Sequence, residues 1–197
     1  MDLLFVRHAR PVRHDVAEGR ADPGLHEEGR RQARRVACWL ATESIDAVFA
    51  SPARRATETA APLSALLGLE PVIDKGLAEF DLEARSYVPV EELQAANDER
   101  WLALARGELY GNADPIAFRE RVVQAVEAIV REHPGHVVVA VCHAGVINAY
   151  VGHILDIAMP LWFAPHYASI SRIAASRRGA RSVVSLNETG HLRGWPD

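Results

Sequence analysis

The sequence predicts an α/β fold: a three-layer α/β/α sandwich with a mainly parallel sheet and a partly helical lid insertion. Three observations carry that prediction. Short apolar runs alternate with longer segments of helical period, as in a sheet covered by helices. The strongest run, Val137 to Cys142, is continuous and β-branched, as in a strand buried on both faces. A polar, weakly periodic stretch at about 79–112 breaks the alternation. The 197 residues therefore read as a single domain, 1–197, with one excursion that leaves the sheet and is placed to cover a cleft.

The elements follow in order. Leu3 to Val6 is a short buried strand that stops at Arg7-His8, and a polar loop runs from Arg10 to Glu28. From Gly29 the period is helical, with Ala33, Val36, Ala37 and Leu40 on one face. Ala47 to Ala50 is a second strand. Ser51-Pro52 then reads as N-cap and first-turn proline of a helix that buries Ala53, Ala56, Ala60, Leu63 and Leu67 and closes at Gly68. Pro71 to Ile73 is a brief third strand. After the excursion, which Pro89 and Gly107 interrupt, Asp114-Pro115 caps a helix with Phe118, Val122, Ala125, Val126 and Ile129 inward, ending at Gly135. The 137–142 strand breaks at His143-Ala144-Gly145, and a further helix runs through Leu155. Runs at 168–174 and 182–186 are closing strands, with Arg177-Arg178-Gly179 as hairpin turn chemistry.

Composition excludes several classes. Apolar residues are 49% and charged residues 24% of the chain, a globular balance without internal repeats or low-complexity segments. A net charge of −4 and a pI near 6.1 argue against a nucleic-acid partner. The positive charge is nearly all arginine; Lys75 is the single lysine. No apolar run approaches the roughly 20 residues that span a bilayer, so no membrane partner is expected. The opening residues lack a basic lead and a small-residue cleavage site, so no signal peptide is expected either. Cys38 and Cys142 are too few for a disulfide framework and read as buried free thiols, which places the chain in a reducing cytoplasm. The sequence does not fix the oligomeric state, a homodimer included.

Three strand ends carry unusual polar residues: Arg7-His8, then Ser51-Pro52 leading to Arg54-Arg55, then His143. In a parallel sheet, ligands bind at the carboxyl ends of strands. One histidine after a strand is more often a packed residue, and two arginines on a helix are more often solvated. Their coincidence at three strand ends points instead to an anion site. Two guanidiniums and two imidazoles in one pocket repel one another unless an anion joins them, and a phosphoryl group suits arginine geometry. An imidazole there can serve as nucleophile or as acid–base group.

The motifs in order resemble those of the histidine phosphatase superfamily, the phosphoglycerate-mutase-like family. Leu4-Phe5-Val6-Arg7-His8-Ala9 resembles its arginine-histidine-glycine signature. Asp22-Pro23-Gly24-Leu25-His26-Glu27-Glu28-Gly29, continuing to Gln32-Ala33, is similar to a second segment. Ser51-Pro52-Ala53-Arg54-Arg55-Ala56-Thr57-Glu58-Thr59-Ala60 is similar to a third, and Val141 to Ile147 to a fourth. The resemblance implies His8 as the nucleophile that becomes a phosphohistidine. It implies Arg7, Arg55 and His143, the last as an imidazolium, as the groups that hold the phosphoryl oxygens, with Ala144 beside them. It also implies a carboxylate acid in the context Leu77-Ala78-Glu79, with Asp81 and Glu83 as competitors. No metal and no other cofactor is implied, because the cations neutralise the transferring group.

Departures from the pattern are informative. Ala9 and Ala144 stand where glycines are usual, which narrows the space without removing activity. Arg10 and His14 stand where an acid and an asparagine are common; they are candidates to extend the anion site toward substrate, or to lie at the surface. His26 replaces a capping threonine, and imidazole is expected to cap poorly. Phe80-Asp81-Leu82-Glu83-Ala84 and Gly111-Asn112-Ala113 depart from the family around the lid, so the substrate beyond a small phosphorylated metabolite is not read from relatives.

Other readings fare worse. No glycine-rich nucleotide loop follows a strand. His133 and His136 flank a turn without a matching ligand pair elsewhere, so no metal site is expected. Cys142 reads as an inward strand residue, and Tyr150, Trp162, Phe163 and Tyr167 as core and lid packing. Mutases of this family carry a longer lid and a shielding C-terminal tail, whereas this chain ends soon after Gly190-His191-Leu192, so hydrolysis is expected over phosphoglycerate mutase-type transfer. A binding module without catalysis is the alternative outside enzymes; the complete set of Arg7, His8, Arg55, Glu79 and His143 weighs against it.

Overall fold

The computed structural model describes residues 1–111 and 113–193. The elements, in chain order, are β1 (Asp2–Arg7), β2 (His14–Asp15), α1 (Glu27–Leu40), β3 (Ala47–Ala50), α2 (Arg54–Leu67), β4 (Val72–Ile73), β5 (Ser86–Tyr87), α3 (Val90–Ala95), α4 (Glu99–Ala105), α5 (Pro115–Glu132), β6 (Val137–Cys142), α6 (Ala144–Leu155), β7 (Ile170–Ala175) and β8 (Arg181–Glu188). The main sheet has six strands in the order β4-β3-β6-β1-β7-β8. The four from β4 to β1 are parallel, and β7 and β8 add an antiparallel edge. The mainly parallel α/β sheet read from the sequence is the one observed.

Alternation along the central strands builds the three layers. Leu3, Phe5, Val138, Ala140 and Cys142 face one way and pack with Val122, Val126 and Ile129 of α5 and Val146, Ile147 and Tyr150 of α6. Leu4, Val6, Val48, Ala50, Val139 and Val141 face the other way, against Val36, Ala37 and Leu40 of α1 and Ala56, Ala60 and Leu63 of α2. Because the strand repeat is two residues, each central strand must be apolar at every position, which explains the unbroken run in β6.

Several local expectations are corrected. The helix behind β3 begins at Arg54 and its N-cap is Ala53, which has no capping side chain; the Arg54 N–H donates instead to Asp22 Oδ1 at 2.8 Å. Ser51 ends the strand instead, and its hydroxyl is engaged elsewhere. His26 does cap α1: its Nδ1 accepts from the Glu28 N–H at 3.2 Å, so the ring nitrogen replaces a hydroxyl oxygen. Cys142 is buried but Cys38 is exposed. One step along the helix from buried Ala37 rotates the side chain by about 100°, off the inner face. Leu67 and Ala125 are half-buried rather than core.

The excursion is tied to the loop after β1. β5 pairs antiparallel with β2, placing Tyr87 opposite His14, and Arg10 Nε reaches Glu91 of α3 at 2.8 Å. α3 and α4 are short helices that supply its helical content. Asn112, part of the departure at 111–113, lies outside the described residues.

Candidate active site

The three predicted strand ends are neighbours, because β3, β6 and β1 are consecutive in the sheet. Arg7 is in register with Cys142, and Ala50 with Val141. The ladder continues one residue beyond the strands: the His8 N–H donates to Cys142 O at 2.8 Å and the Ser51 N–H to Val141 O at 2.9 Å. His8, Arg55 and His143 are only 3%, 2% and 0% exposed, and the two imidazole rings stand edge to face 5.1 Å apart.

Each side chain is held by identifiable contacts. His8 Nδ1 lies 2.9 Å from its neighbour's carbonyl, Ala9 O. That bond requires the proton on Nδ1, which leaves the lone pair on Nε2. The Ala9 N–H donates to Thr59 Oγ1 at 3.0 Å, and that hydroxyl donates to Arg55 O at 2.6 Å, joining the turn after β1 to α2. Ala168 closes the same turn from β7's side: its N–H is shared between Arg7 O and His8 O at 3.0 and 3.3 Å. It does so with φ of 57°, a left-handed conformation that costs alanine roughly 1–2 kcal/mol. Gly29 admits the next residue, since a Cβ there would meet Arg10 O at 2.0 Å.

Arg7 donates to Pro165 O at 2.6 Å and lies 4.0 Å over the Tyr167 ring. Arg55 lies 4.6 Å over the Tyr87 ring, with Asp81 at 3.7 Å. His143 Nε2 is 2.7 Å from Ser51 Oγ, which also accepts from the Ala53 N–H at 3.3 Å. When the serine hydroxyl donates to Nε2, the His143 proton sits on Nδ1. The Nε atoms of Arg7 and Arg55 and Nδ1 of His143 are buried and make no hydrogen bond. Buried polar groups are nearly always paired; these three nitrogens, with Asp81 Oδ1 beside them, leave the pocket able to take up a polar ligand.

Charge in the pocket is arranged by burial. His8 is held well below the usual histidine pKa by burial, then by the charges of Arg55 and Arg7. His143 is lowered by burial, then by Arg55, His8 and Arg7. Both shifts favour the neutral imidazole. The self-repulsion expected of the cluster is relieved by deprotonation.

Glu79 has the opposite shift. Burial, and then the charge of Asp81, raise its carboxyl to about 7 against the N–H bonds from Gly145 and Phe80. Its Oε2 accepts from the Gly145 N–H at 2.9 Å and its Oε1 from the Phe80 N–H at 3.1 Å. A Cβ at Gly145 would stand 2.2 Å from Glu79 Oε1, so a side chain here would push the carboxylate aside. Arg121 of α5 fixes the segment before Glu79 by donating to Lys75 O, Gly76 O and Ala78 O at 3.1, 2.8 and 2.9 Å. Asp81 accepts from the Tyr110 hydroxyl and faces Arg55. Glu83 is apart, 80% exposed beside Arg20.

These groups line one end of a cavity of about 340 Å³ that includes Arg7, His8, Arg55, Glu79, His143 and Ala144. Arg10 and His14 do not line it. Arg10 is bound by Glu28 and Glu91 at 2.6 and 2.8 Å, and His14 sits on the small two-stranded sheet. Trp162 and Phe163, expected as packing, form part of the cavity wall. The roles of Tyr167 and Ser51 are not visible in the sequence, since only the fold brings them to Arg7 and His143. Burial pushes the Cys142 thiol far up, as an inert core residue requires. Among the described residues no group of three or more His, Cys, Asp or Glu could hold a metal ion, and no helix is long and apolar enough to cross a membrane.

The model of the histidine phosphatase superfamily (branch 1) matches residues 3–189. The chain belongs to the histidine phosphatase superfamily. Relatives within this histidine phosphatase family include phosphoserine phosphatase 1 of Hydrogenobacter thermophilus, 29% identical over 96% of this chain and 93% of its own. A bifunctional protein of Mycobacterium tuberculosis is 30% identical over 96% of this chain, which spans about half, 54%, of that relative's length. Among solved structures, the mycobacterial glucosyl-3-phosphoglycerate phosphatase complexed with VO3 aligns with a TM-score of 0.77 at 24% identity, covering 95% of this chain and 99% of that one. The phosphoserine phosphatase of Entamoeba histolytica in complex with 3-phosphoglyceric acid aligns at 0.75 and 20% identity, covering 97% and 98%. Both share the fold.

Proposed function

We propose that this histidine phosphatase is a metal-independent phosphomonoester hydrolase that acts through a phosphohistidine on a small phosphorylated metabolite. The observation that carries the reading is the set of unpartnered buried nitrogens of Arg7, Arg55 and His143 gathered around His8, beside a carboxyl that stays protonated near neutral pH. The family match and the phosphatases among its relatives support it.

In this reading His8 Nε2 attacks phosphorus in line with the ester oxygen. The N–P bond forms as the P–O bond breaks, and the Glu79 proton passes to the departing alkoxide. Arg7, Arg55 and the Nδ1–H of His143 hold the equatorial oxygens, supplying fixed positive charge where it is needed. Glu79, now a carboxylate, takes a proton from water as the water oxygen attacks phosphorus. The N–P bond breaks, His8 recovers its lone pair and inorganic phosphate leaves. Asp81 is a positioning residue that keeps Glu79 protonated through like charge. The free thiols of Cys38 and Cys142 fit a cytoplasmic setting, and the substrate is the only partner the reading requires.

Phosphate release from p-nitrophenyl phosphate, undiminished by a chelator, tests the reading. Tight vanadate binding without turnover would indicate a binding module instead, and isomerisation of 3-phosphoglycerate without phosphate release would indicate a mutase.

Two further outcomes follow from the acid's surroundings. Asp81→Asn removes the like charge beside Glu79 while keeping an acceptor for Tyr110. The descending limb of the pH–kcat/KM profile then moves to lower pH, read directly from the profile for an alkyl phosphate. Gly145→Ala forces the carboxylate aside; a displacement of about 1 Å costs up to about 100-fold in kcat/KM for an alkyl ester. Vanadate affinity, which depends on the cations, serves as the control.

A further inference from the structure

Resting on that hydrolase reading, we infer that the substrate is the monoester of an uncharged aromatic or similarly apolar alcohol and carries no carboxylate. The charged groups of the cavity, Arg7, Arg55, Glu79 and Asp81, all belong to the phosphoryl and acid end. The remaining wall is apolar: Leu93, Trp101 and Leu104 come from the excursion, and Leu161, Trp162 and Phe163 from the loop after α6.

The arginines that could reach this wall are committed elsewhere. Arg100 forks onto Asp98 with Nε and NH2 at 2.9 and 2.8 Å. Arg106 makes the same kind of fork onto Glu108 at 3.1 and 2.9 Å. Arg10 lies between Glu28 and Glu91.

Of the other polar lining side chains, Tyr110 donates to Asp81 and Tyr87 lies under Arg55, and Asn148 is spent on building the wall. Its Nδ2 donates to Ala144 O and Phe163 O, each at 2.9 Å, and its Oδ1 accepts from the Trp162 and Phe163 N–H groups at 2.9 and 3.0 Å. The Trp162 indole in turn donates to Asn148 O at 3.2 Å. The two aromatic rings are thus fixed against α6, with centroids 4.5 Å apart.

A carboxylate on the leaving alcohol would be stripped of water against this wall with no cation beyond the arginines already assigned to the phosphoryl group, which disfavours binding. An uncharged ring would instead cover apolar wall. The cavity lies at the small end of ligand pockets, so it suits phosphate plus about one ring system.

The test compares kcat/KM for 2-phenylethyl phosphate, O-phosphoserine and 3-phosphoglycerate, all alkyl esters with a similar need for the acid, alongside p-nitrophenyl phosphate. The aromatic alkyl ester is expected to exceed both carboxylate esters by about tenfold or more. Leu104→Arg, which adds a cation to the half-buried wall, is expected to shrink that ratio by about tenfold. Equal or faster hydrolysis of either carboxylate ester while p-nitrophenyl phosphate is turned over overturns the inference alone. Absence of phosphate release from all four overturns the hydrolase reading and this inference with it.

Discussion

His8→Ala is expected to lower phosphate release by roughly 10⁴-fold or more, because in the proposed mechanism it removes the nucleophile that divides the reaction into two steps. The structure allows this loss to be separated from a loss of binding. Arg7, Arg55 and His143 do not depend on the His8 ring for their contacts: they are held by Pro165 and Tyr167, by Tyr87 and by Ser51. Removing the ring also removes one neighbour of His143 in a crowded site. The variant should therefore retain phosphate or vanadate binding by calorimetry and melt as one cooperative unit. Turnover within tenfold of the parent would show that His8 is not the nucleophile.

The second large effect is expected from Glu79→Gln. Glutamine keeps the size of the side chain and one acceptor for the backbone donors at Gly145 and Phe80, but it has no proton to transfer. General acid catalysis of this kind contributes about 10²–10⁴-fold. The loss should fall on kcat/KM for alkyl esters, whose alkoxide needs the proton, and be much smaller for p-nitrophenyl phosphate, whose leaving group is stable without it. Because kcat/KM reports the first irreversible step, slower water activation in the second step does not blur this contrast. Equal losses for the two substrates would argue for a different acid.

The pH dependence has a definite sign. In the proposed mechanism Glu79 works as a protonated acid, and its pKa is raised to about 7 by burial and then by Asp81. Activity is accordingly full below about 7 and falls as pH rises through it. The His8 shift is downward, so the nucleophile stays neutral across that range and adds no limb near 7. Glu79→Gln should flatten the profile there.

The parallel core and the convergence of Arg7, Ser51 and His143 are legible in the amino-acid sequence, since each ends an apolar run and parallel strands place their carboxyl ends on one edge. The features that are not legible there are tertiary. Ser51 before Pro52 has the local chemistry of a helix cap, and only the adjacency of β3 and β6 reveals His143 as its partner. Trp162 and Phe163 are ordinary core residues by composition; they become a cavity wall because Asn148, more than a dozen residues earlier, fixes their backbone. Arg10 by residue type is open to either substrate or surface. It turns to Glu28 and Glu91 because α1 and α3 deliver carboxylates on either side of it. The downward shift of His143 comes from burial and then from Arg55, which residue type alone does not encode. His26 caps α1 because its ring is placed to offer Nδ1 to Glu28, a placement that general cap preferences do not anticipate.

Trapping the intermediate tests the central claim most directly. Rapid quenching of the Glu79→Gln variant during turnover of radiolabelled p-nitrophenyl phosphate, whose first step does not need the acid, should yield about one acid-labile, base-stable phosphoryl group per chain, mapped by peptide sequencing to His8 and missing from His8→Ala. Turnover with no labelled chain, or with label on any other residue, would contradict the account.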